Sequence, residues 1–264
     1  MSQNLRKPEI LRDLDQLGKV TVEQLMDRFD ISAQTARRDL KELADEGLVE
    51  RVYGGAIRTS ALSNIEYEER RQLNEEGKIA IAGQCVEHVP NGSSIFINIG
   101  TTTEAVAREL REHKNMLVVT NSIHVANILT PNEDCEILVT SGRLRRADGG
   151  LLGDMTNQII SNFKFDIAII SCAGIDAEGD LLEFDLQETQ ATKAIMAQSR
   201  RVFVVAEHTK FGRSAPGRVG SLKDVHTIFT DGTFPNHVIE ACTAWNTRMI
   251  SASDTPLAEN MKPS

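Results

Sequence analysis

ISAQTARRDL at positions 31–40 runs into KELADEGLVERVYGGA at 41–56, and this stretch decides how the first part of the chain is read. Ser32 can cap the free N–H groups of a helix starting at Ala33. Leu40, Leu43 and Ala44 recur at helical period and pack one face. Gln34, Thr35, Arg37, Arg38 and Lys41 are left facing outward. Upstream, residues 20–29 read as another short helix capped by Thr21, with Val22, Leu25, Met26 and Phe29 inward, and Asp30-Ile31 makes the turn. A longer helix from about residue 7 to 17 precedes it, with Ile10, Leu11, Leu14 and Leu17 on the core side. Residues 48–58 alternate and turn at Gly54-Gly55, as a hairpin wing does.

Three helices with a short turn before the last form a helix-turn-helix, whose last helix enters the DNA major groove. Arg reads guanine O6/N7 in bidentate fashion and Gln reads adenine N6/N7, while Ser and Thr hydroxyls suit phosphate oxygens. The expected DNA contacts are therefore Ser32, Gln34, Thr35, Arg37, Arg38 and Lys41, with Arg51, Tyr53 and Arg58 near the backbone or minor groove. An arginine pair alone is as well explained by a solvated helix face. The cap, the turn and the wing around it favour DNA.

A net charge of -9 argues against a nucleic-acid partner unless it is divided along the chain. Residues 1–58 hold ten Lys/Arg against eleven Asp/Glu, and the remainder nineteen against twenty-seven. The acidity belongs to the second part, where it limits nonspecific binding. Cys85, Cys135, Cys172 and Cys242 show no CxxC or Cys/His spacing and read as buried reduced thiols, with no metal site and no cofactor implied. No apolar run approaches the ~18 residues that span a bilayer, and MSQNLRKPE lacks a signal-peptide core. The expected location is the cytoplasm, without a membrane partner.

The domain reading is 1–58 for the helix-turn-helix head, 59–76 for a polar, charged linker, 77–250 for a second domain and 251–264 for a disordered tail. A helix is expected from about residue 75 to 88. SIFINI (94–99), MLVVT (116–120), CEILVT (135–140), FDIAIIS (165–171), RVFVVA (201–206) and HTIFT (226–230) are short apolar runs. Helical patterns follow at 104–111, 123–129, 187–199 and 236–247. Such alternation implies an α/β layered sheet, mostly parallel and covered on both faces, with ligands at the carboxyl ends of its strands.

Polar loops fall at that edge. Gly100-Thr101-Thr102-Thr103 lies between strand and helix, where a glycine allows close approach and a helix N-terminus offers free N–H groups to an anion. Asn121 follows the next strand, and Ser141-Gly142-Arg143, with Arg145, Arg146 and Gly149-Gly150 after them, the third. Asp176 and Glu183 offer carboxylates for ligand hydroxyls, with capping or surface roles as the alternative. Lys210, in EHTKFGR beyond a strand end, suits a phosphate as a point charge; Lys193, on a helix, could equally pair with Glu188 or Thr189. The expected ligand is a small anion.

ISAQTARRDL, LADEGLVER and YGGA together resemble the signature of the DeoR family of bacterial transcription regulators. The usual family pattern has Ile or Val where this chain has Ala36, which trims a core side chain and leaves the arginines untouched. The resemblance implies an effector domain related to the ribose-5-phosphate isomerase type of layered sheet. NIGTTTEAVA, DGGLLGD, GIDAEGDLLEFD and EHTKFGR resemble, within that family, members that answer to glycerol 3-phosphate. That implies glycerol 3-phosphate as effector, double-stranded operator DNA as partner, and a homo-oligomer, dimer or tetramer, on a repeated or palindromic site.

A sugar-phosphate isomerase fused to a DNA head is the rival, and comparison with the isomerase pattern weighs against it. Ser171-Cys172-Ala173-Gly174-Ile175 stands where those enzymes carry an acidic run, and Thr192 where their catalytic Glu precedes a helical lysine, so no catalytic residue is assigned. An activator, or a regulator answering to another sugar phosphate, is the third reading.

Overall fold

The computed structural model describes residues 3–17, 19–45, 48–52, 54–58, 67 and 70–254, arranged in two compact units, Met1–Glu68 and Glu69–Ser264. In the smaller unit, α1 spans Gln3–Leu17, β1 Lys19–Thr21, α2 Val22–Phe29, α3 Ala33–Asp45, β2 Val49–Val52 and β3 Gly55–Arg58. Thr21 caps α2 in a capping box with Gln24. Val20 therefore lies ahead of the helix, in β1, because an N-cap residue takes an extended conformation. Asp30 closes α2 in the left-handed region, at φ 51°. β1 joins the wing as a third strand, giving the order β1-β3-β2, with Val52 opposite Gly55 across the turn.

Ile10, Leu14, Leu25, Ala36, Leu40 and Leu43 are buried together, with Leu11, Val22 and Phe29 packed at their margin. This is the periodic apolar set of the sequence. Leu17's side chain lies outside the described residues. Arg6 and Asp39 add a buried ion pair between α1 and α3, with Nε–Oδ2 at 2.9 Å and Nη2–Oδ1 at 3.4 Å.

In the larger unit, seven parallel strands run in the order β15-β14-β12-β9-β4-β5-β6: β4 Ser94–Ile97, β5 Met116–Thr120, β6 Cys135–Val139, β9 Phe165–Ile170, β12 Ser199–Val205, β14 Thr227–Thr230 and β15 Arg248–Ser251. The first six answer the six apolar runs. β15 was not foreseen, because RMIS is only half-buried at the sheet edge. Side chains alternate between two cores: Ile95, Ile97, Ile167, Ile169, Phe203 and Val205 face one, Phe96, Ala168, Ile170, Val202 and Val204 the other. Each large apolar chain so buried is worth about 1.5–3 kcal/mol.

Helices α4 Glu75–Val86, α5 Thr101–Glu109 and α6 Ile123–Leu129 cover the first core through Ile81, Cys85, Val106 and Val125. Helices α7 Asp154–Ser161, α8 Leu186–Ala197 and α9 Asn236–Trp245 cover the second through Ile160, Ile195 and Cys242. Cys85, Cys172 and Cys242 are buried thiols, and Cys135 is half-buried on the edge strand. A hairpin of β7 Arg143–Arg145 and β8 Gly150–Leu152, and an antiparallel sheet of β10 Gly174–Ile175, β11 Asp180–Glu183 and β13 Gly217–Ser221, stand outside the main sheet. The disordered tail expected from 251 does not begin there: Ser251 ends β15 and residues 252–254 form one further helical turn, while 255–264 lie outside the described residues.

Removing one partner of a buried ion pair costs about 3–5 kcal/mol, which is comparable to the whole stability of a head this small. Asp39→Ala should therefore raise hydrogen exchange at the Leu40 and Leu43 amides to that of an unfolded segment. The unfolding midpoint of the larger unit, followed through the single tryptophan Trp245, should not move. Protected Leu40 and Leu43 amides in that variant would show the pair to be dispensable.

Candidate functional site

On α3, Ser32 accepts a hydrogen bond from the Thr35 N–H at 3.2 Å and lies 3.0 Å from its hydroxyl, so both hydroxyls sit at the helix start. Gln34, Arg37, Arg38 and Lys41 are exposed. At spacings of three and four they share one helix face, opposite buried Ala36, Leu40 and Leu43. Arg38 is only loosely paired, with Nε 3.8 Å from Glu42. Arg51 and Arg58 stand on β2 and β3, with side chains outside the described residues, as is the whole of Tyr53.

The second candidate site follows from sheet topology. After β4 the chain adds β5 and β6 on one side, then returns to place β9 on the other. Ligands in open parallel sheets bind at such a reversal, beyond the carboxyl ends of the strands. Here the two ends are stitched together. Ser171 N–H donates to Asn98 Oδ1 at 3.2 Å, Ser171 Oγ donates to the Ile99 carbonyl at 3.3 Å, and Asn98 N–H donates to Ile169 O at 3.1 Å. Gly100 sits in the seam at φ +149°, where a Cβ would lie 2.4 Å from Ser171 Oγ. Only glycine lets the loop pass this close to β9.

From Gly100 the loop turns into α5, whose first-turn N–H groups have no intrahelical acceptor and whose cap provides no side-chain bond. Thr101 and Thr102 are 9% and 5% exposed. Thr103 is fully buried and its hydroxyl donates back to the carbonyls of Asn98 and Gly100, both at 2.8 Å. Its hydroxyl therefore holds the loop.

Asn121 lies on the same rim. It is 1% exposed, its Nδ2 donates to Leu151 O at 3.3 Å, and its Oδ1 is buried with no partner among the described residues. A buried acceptor without a donor costs about 1–3 kcal/mol, so this oxygen is poised for a ligand hydroxyl or a water. Gly150, beside Leu151, packs on the Ile99 side chain. Ser141 and Gly142 are pinned by α7, through the Thr156 hydroxyl that donates to Ser141 O at 2.6 Å.

Arg143 and Arg145 stand in different surroundings. Arg143 is exposed and reaches Gln187 Oε1 at 2.8 Å. Arg145 turns inward and binds Asp148 at 2.9 and 2.5 Å, Glu188 at 2.6 Å and Asp185 at 3.4 Å. Burial works against its charge, but the Asp148 hydrogen bonds and the Glu188 carboxylate prevail and raise its pKa. RLRRAD carries this i,i+3 pair openly. The approach of Glu188 from α8 was not visible in the sequence.

Leu181, Leu182 and Glu183 are all buried in consecutive positions of β11, which strict alternation forbids. A register shift against β13 between Leu181 and Leu182 resolves this, re-aiming Glu183 inward as bulges do. Burial, then the nearby Glu188, raise the Glu183 pKa well above the carboxylate range, against Lys210, Arg70 and Arg145. Lys210 comes from the loop after β12, which docks on β10 by the Gly212 N–H to Ile175 O bond at 2.7 Å. Burial, then Arg213, lower its pKa to about 8. Cys172, next to Ser171, faces the same groups: burial and Glu183 push its thiol up to about 12, and an inert thiol results.

Two expected residues fall elsewhere. Asp176 accepts the Asp180 N–H at 2.8 Å and so makes the β10–β11 turn. Lys193 is exposed on α8, with no described contact to the cleft. Ser171 lies against Gly100, Glu183 bears electrostatically on Cys172, Glu188, Lys210 and Arg145, and Asn121 bonds Leu151 while Gly150 meets Ile99. Carboxyl groups for hydroxyls, a lysine and free N–H groups for an anion stand on one sheet edge.

An arginine-bearing recognition helix and a cleft at a sheet reversal are the two halves of a DNA-binding transcription regulator with a sensor domain. The chain belongs to the DeoR family: the DeoR-like helix-turn-helix domain matches residues 6–61 and the DeoR C terminal sensor domain residues 73–232. The glycerol-3-phosphate regulon repressor of Escherichia coli (strain K12) is 42% identical over 243 residues, covering 92% of this chain and 96% of that protein. The protein of the same name from Haemophilus influenzae is 40% identical over 250 residues, covering 95% and 97%. The HTH-type transcriptional repressor CsqR of E. coli is 37% identical over 231 residues, 88% of each chain. Among solved structures, ribose 5-phosphate isomerase A from Methanocaldococcus jannaschii aligns at 17% identity with TM-score 0.39, covering 52% of this chain and 55% of that one. Translation initiation factor eIF-2B from Pyrococcus horikoshii OT3 aligns at 16% identity with TM-score 0.43, covering 84% and 94%. Among the described residues no helix is long and apolar enough to cross a membrane.

A carboxyl whose pKa is raised by folding stabilises the fold below its unfolded value, about 4.3, and loses that stabilisation as pH rises through the folded value. Glu183 therefore weakens the sensor domain at neutral pH. Glu183→Gln should raise its melting temperature at pH 7.5 by a few degrees, where ~1 kcal/mol is ~2–4 °C for a domain this size, with the gain vanishing below pH 4. An equal gain at both pH values would refute the titration of Glu183.

Proposed function

We propose that this protein represses genes of glycerol and glycerol-3-phosphate metabolism and leaves its operator when glycerol 3-phosphate binds the sensor cleft. The observation that carries this reading is the likeness to two glycerol-3-phosphate regulon repressors, which runs through head and sensor alike. The chemistry of the cleft supports the ligand. A phosphate matches the α5 N-terminus and the Lys210 ammonium, while the two hydroxyls of the glycerol moiety match the unpartnered Asn121 Oδ1 and the Glu183 carboxyl. Arg145 is already enclosed by three carboxylates and serves to position Glu188 and Asp148.

The protein works in the cytoplasm as a homo-oligomer whose paired heads read half-sites on double-stranded DNA, about one helical turn or a multiple apart. Gln34, Arg37, Arg38 and Lys41 contact bases or phosphates, Ser32 and Thr35 the backbone at the helix start, and Arg51, Tyr53 and Arg58 the flanking strand. No catalysis is assigned. Ser171-Cys172-Ala173-Gly174-Ile175 stands where the isomerase pattern carries an acidic run, and Thr192 where its catalytic Glu stands. Glycerol 3-phosphate must favour the DNA-free arrangement, since equal affinity for both states shifts nothing; moving occupancy from 99% to 1% takes about 5.5 kcal/mol of differential binding.

Operator fragments from the glycerol genes should be bound by the purified protein at one stated salt concentration and released by glycerol 3-phosphate in preference to other sugar phosphates. Release by a different phosphate would replace the ligand and keep the mechanism. Arg37→Ala should lose operator binding with unchanged affinity for glycerol 3-phosphate; normal operator binding would remove Arg37 from the interface. Lys210→Ala should bind operator yet resist induction, and a wild-type response would remove Lys210 from the phosphate site. Because the Lys210 pKa lies near 8, effector affinity should fall as pH rises from 7 to 9, by about tenfold per unit at most, and the fall should be absent in Lys210→Ala.

A further inference from the structure

Lys78, on α4, is buried outside the cleft, and its ammonium donates to the backbone carbonyls of Arg70 and Leu73. Glu207 lies 3.9 Å from the same nitrogen. Asn74, at φ +49° just ahead of α4, donates from Nδ2 to Glu207 Oε2 at 2.9 Å and to Asp231 Oδ2 at 2.7 Å. Gly77 makes room for this amide, for a Cβ there would lie 2.5 Å from both Asn74 side-chain heteroatoms and 2.7 Å from Asp231 Oδ2. A glycine inside a helix costs stability relative to alanine. Here the contact explains it.

Of the acceptors on the other side, Glu207 belongs to the loop that carries Lys210 and Asp231 directly follows β14. Glu207 O accepts the Lys210 N–H at 2.9 Å, and Asp231 accepts the His208 N–H at 2.6 Å and lies 3.0 Å from its ring Nδ1. Asn74 is thus tied to the Lys210 loop directly through the Glu207 carboxylate and indirectly through Asp231, which also holds His208. Arg70, whose carbonyl is one of the Lys78 acceptors, also bears electrostatically on Glu183, Glu188 and Lys210. Burial lowers the Lys78 pKa, and the Glu207 carboxylate opposes that fall.

We propose that the clasp of Asn74, Lys78, Glu207 and Asp231 couples the Lys210 loop to residues 70–78, the stretch by which the sensor domain continues from the DNA-binding head. The inference rests on the reading of Lys210 as an anion ligand. An anion that draws Lys210 moves Glu207 and His208 with it, and Asn74 and Lys78 follow through a contiguous hydrogen-bonded path. Coupling of this kind is reciprocal, so operator binding must be felt at the loop even when no phosphate is present.

That reciprocity is the test. Asn74→Gly keeps the left-handed backbone and deletes both side-chain bonds; Gly77→Ala favours the helix and displaces the Asn74 amide. Hydrogen exchange at the Lys210 and Gly212 amides is measured on the full-length protein with and without operator DNA, in phosphate-free buffer. In the parent, operator should change exchange at these amides at least threefold. Both variants should bind operator like the parent and lose that change. No operator-dependent change in the parent, retention of it in either variant, or loss of operator binding by the variants would overturn the coupling. The anion reading fails separately, if glycerol 3-phosphate leaves the parent's operator binding untouched while the exchange response persists.

Discussion

The reversal of strand order between β4 and β9 is the constraint on which the sensor domain depends. Two parallel strands that end side by side leave their following loops to diverge, one into α5 and one toward β10. Asn98 and Ser171 hold the ends together by side-chain bonds to the opposite backbone, and Gly100 accepts the consequence, a backbone with no room for a Cβ. The start of α5 is set by that seam, while the Glu183 carboxyl is set by the β11–β13 register shift and the Lys210 loop by its docking on β10.

The charges around it are of two kinds. Arg145 with Asp148, Asp185 and Glu188 is a closed set, whose donors and acceptors satisfy one another at 2.5–3.4 Å. Glu183 is buried and Lys210 half-buried, and both are held away from their ordinary pKa values, in opposite directions. Closed networks rigidify, whereas groups whose charged forms are disfavoured gain most from a ligand that supplies the missing partner. In the proposed reading, the closed set is scaffold and the second set meets the ligand.

Much of this was legible in the sequence, for physical reasons. α3 could be read because its cap, its buried Ala36, Leu40 and Leu43 and its outward arginines obey one period. Six sheet strands could be read because strands buried on both faces are continuous apolar runs. β1 was lost to α2 because Val20 is apolar and Thr21, the cap, lies one residue beyond it. β15 and α7 were lost because edge and partly exposed elements lack a strong pattern. In the cleft, the Gly100 loop and Lys210 were marked by their places at strand ends. Arg145 could not be preferred to Arg143, nor Asp176 assigned to its turn, because both depend on partners 40 residues away or on the course of one tight loop.

The head and the sensor are each explained by local chemistry, and the proposed repressor reading places a small polar anion at the seam. A crystal structure of the protein grown with glycerol 3-phosphate tests this most directly. The phosphate should lie against the N–H groups of Thr101 and Thr102 with Lys210 beside it, and a glycerol hydroxyl should donate to Asn121 Oδ1. A ligand bound away from the β4–β9 seam, or a cleft that stays empty at saturating concentration, would contradict it.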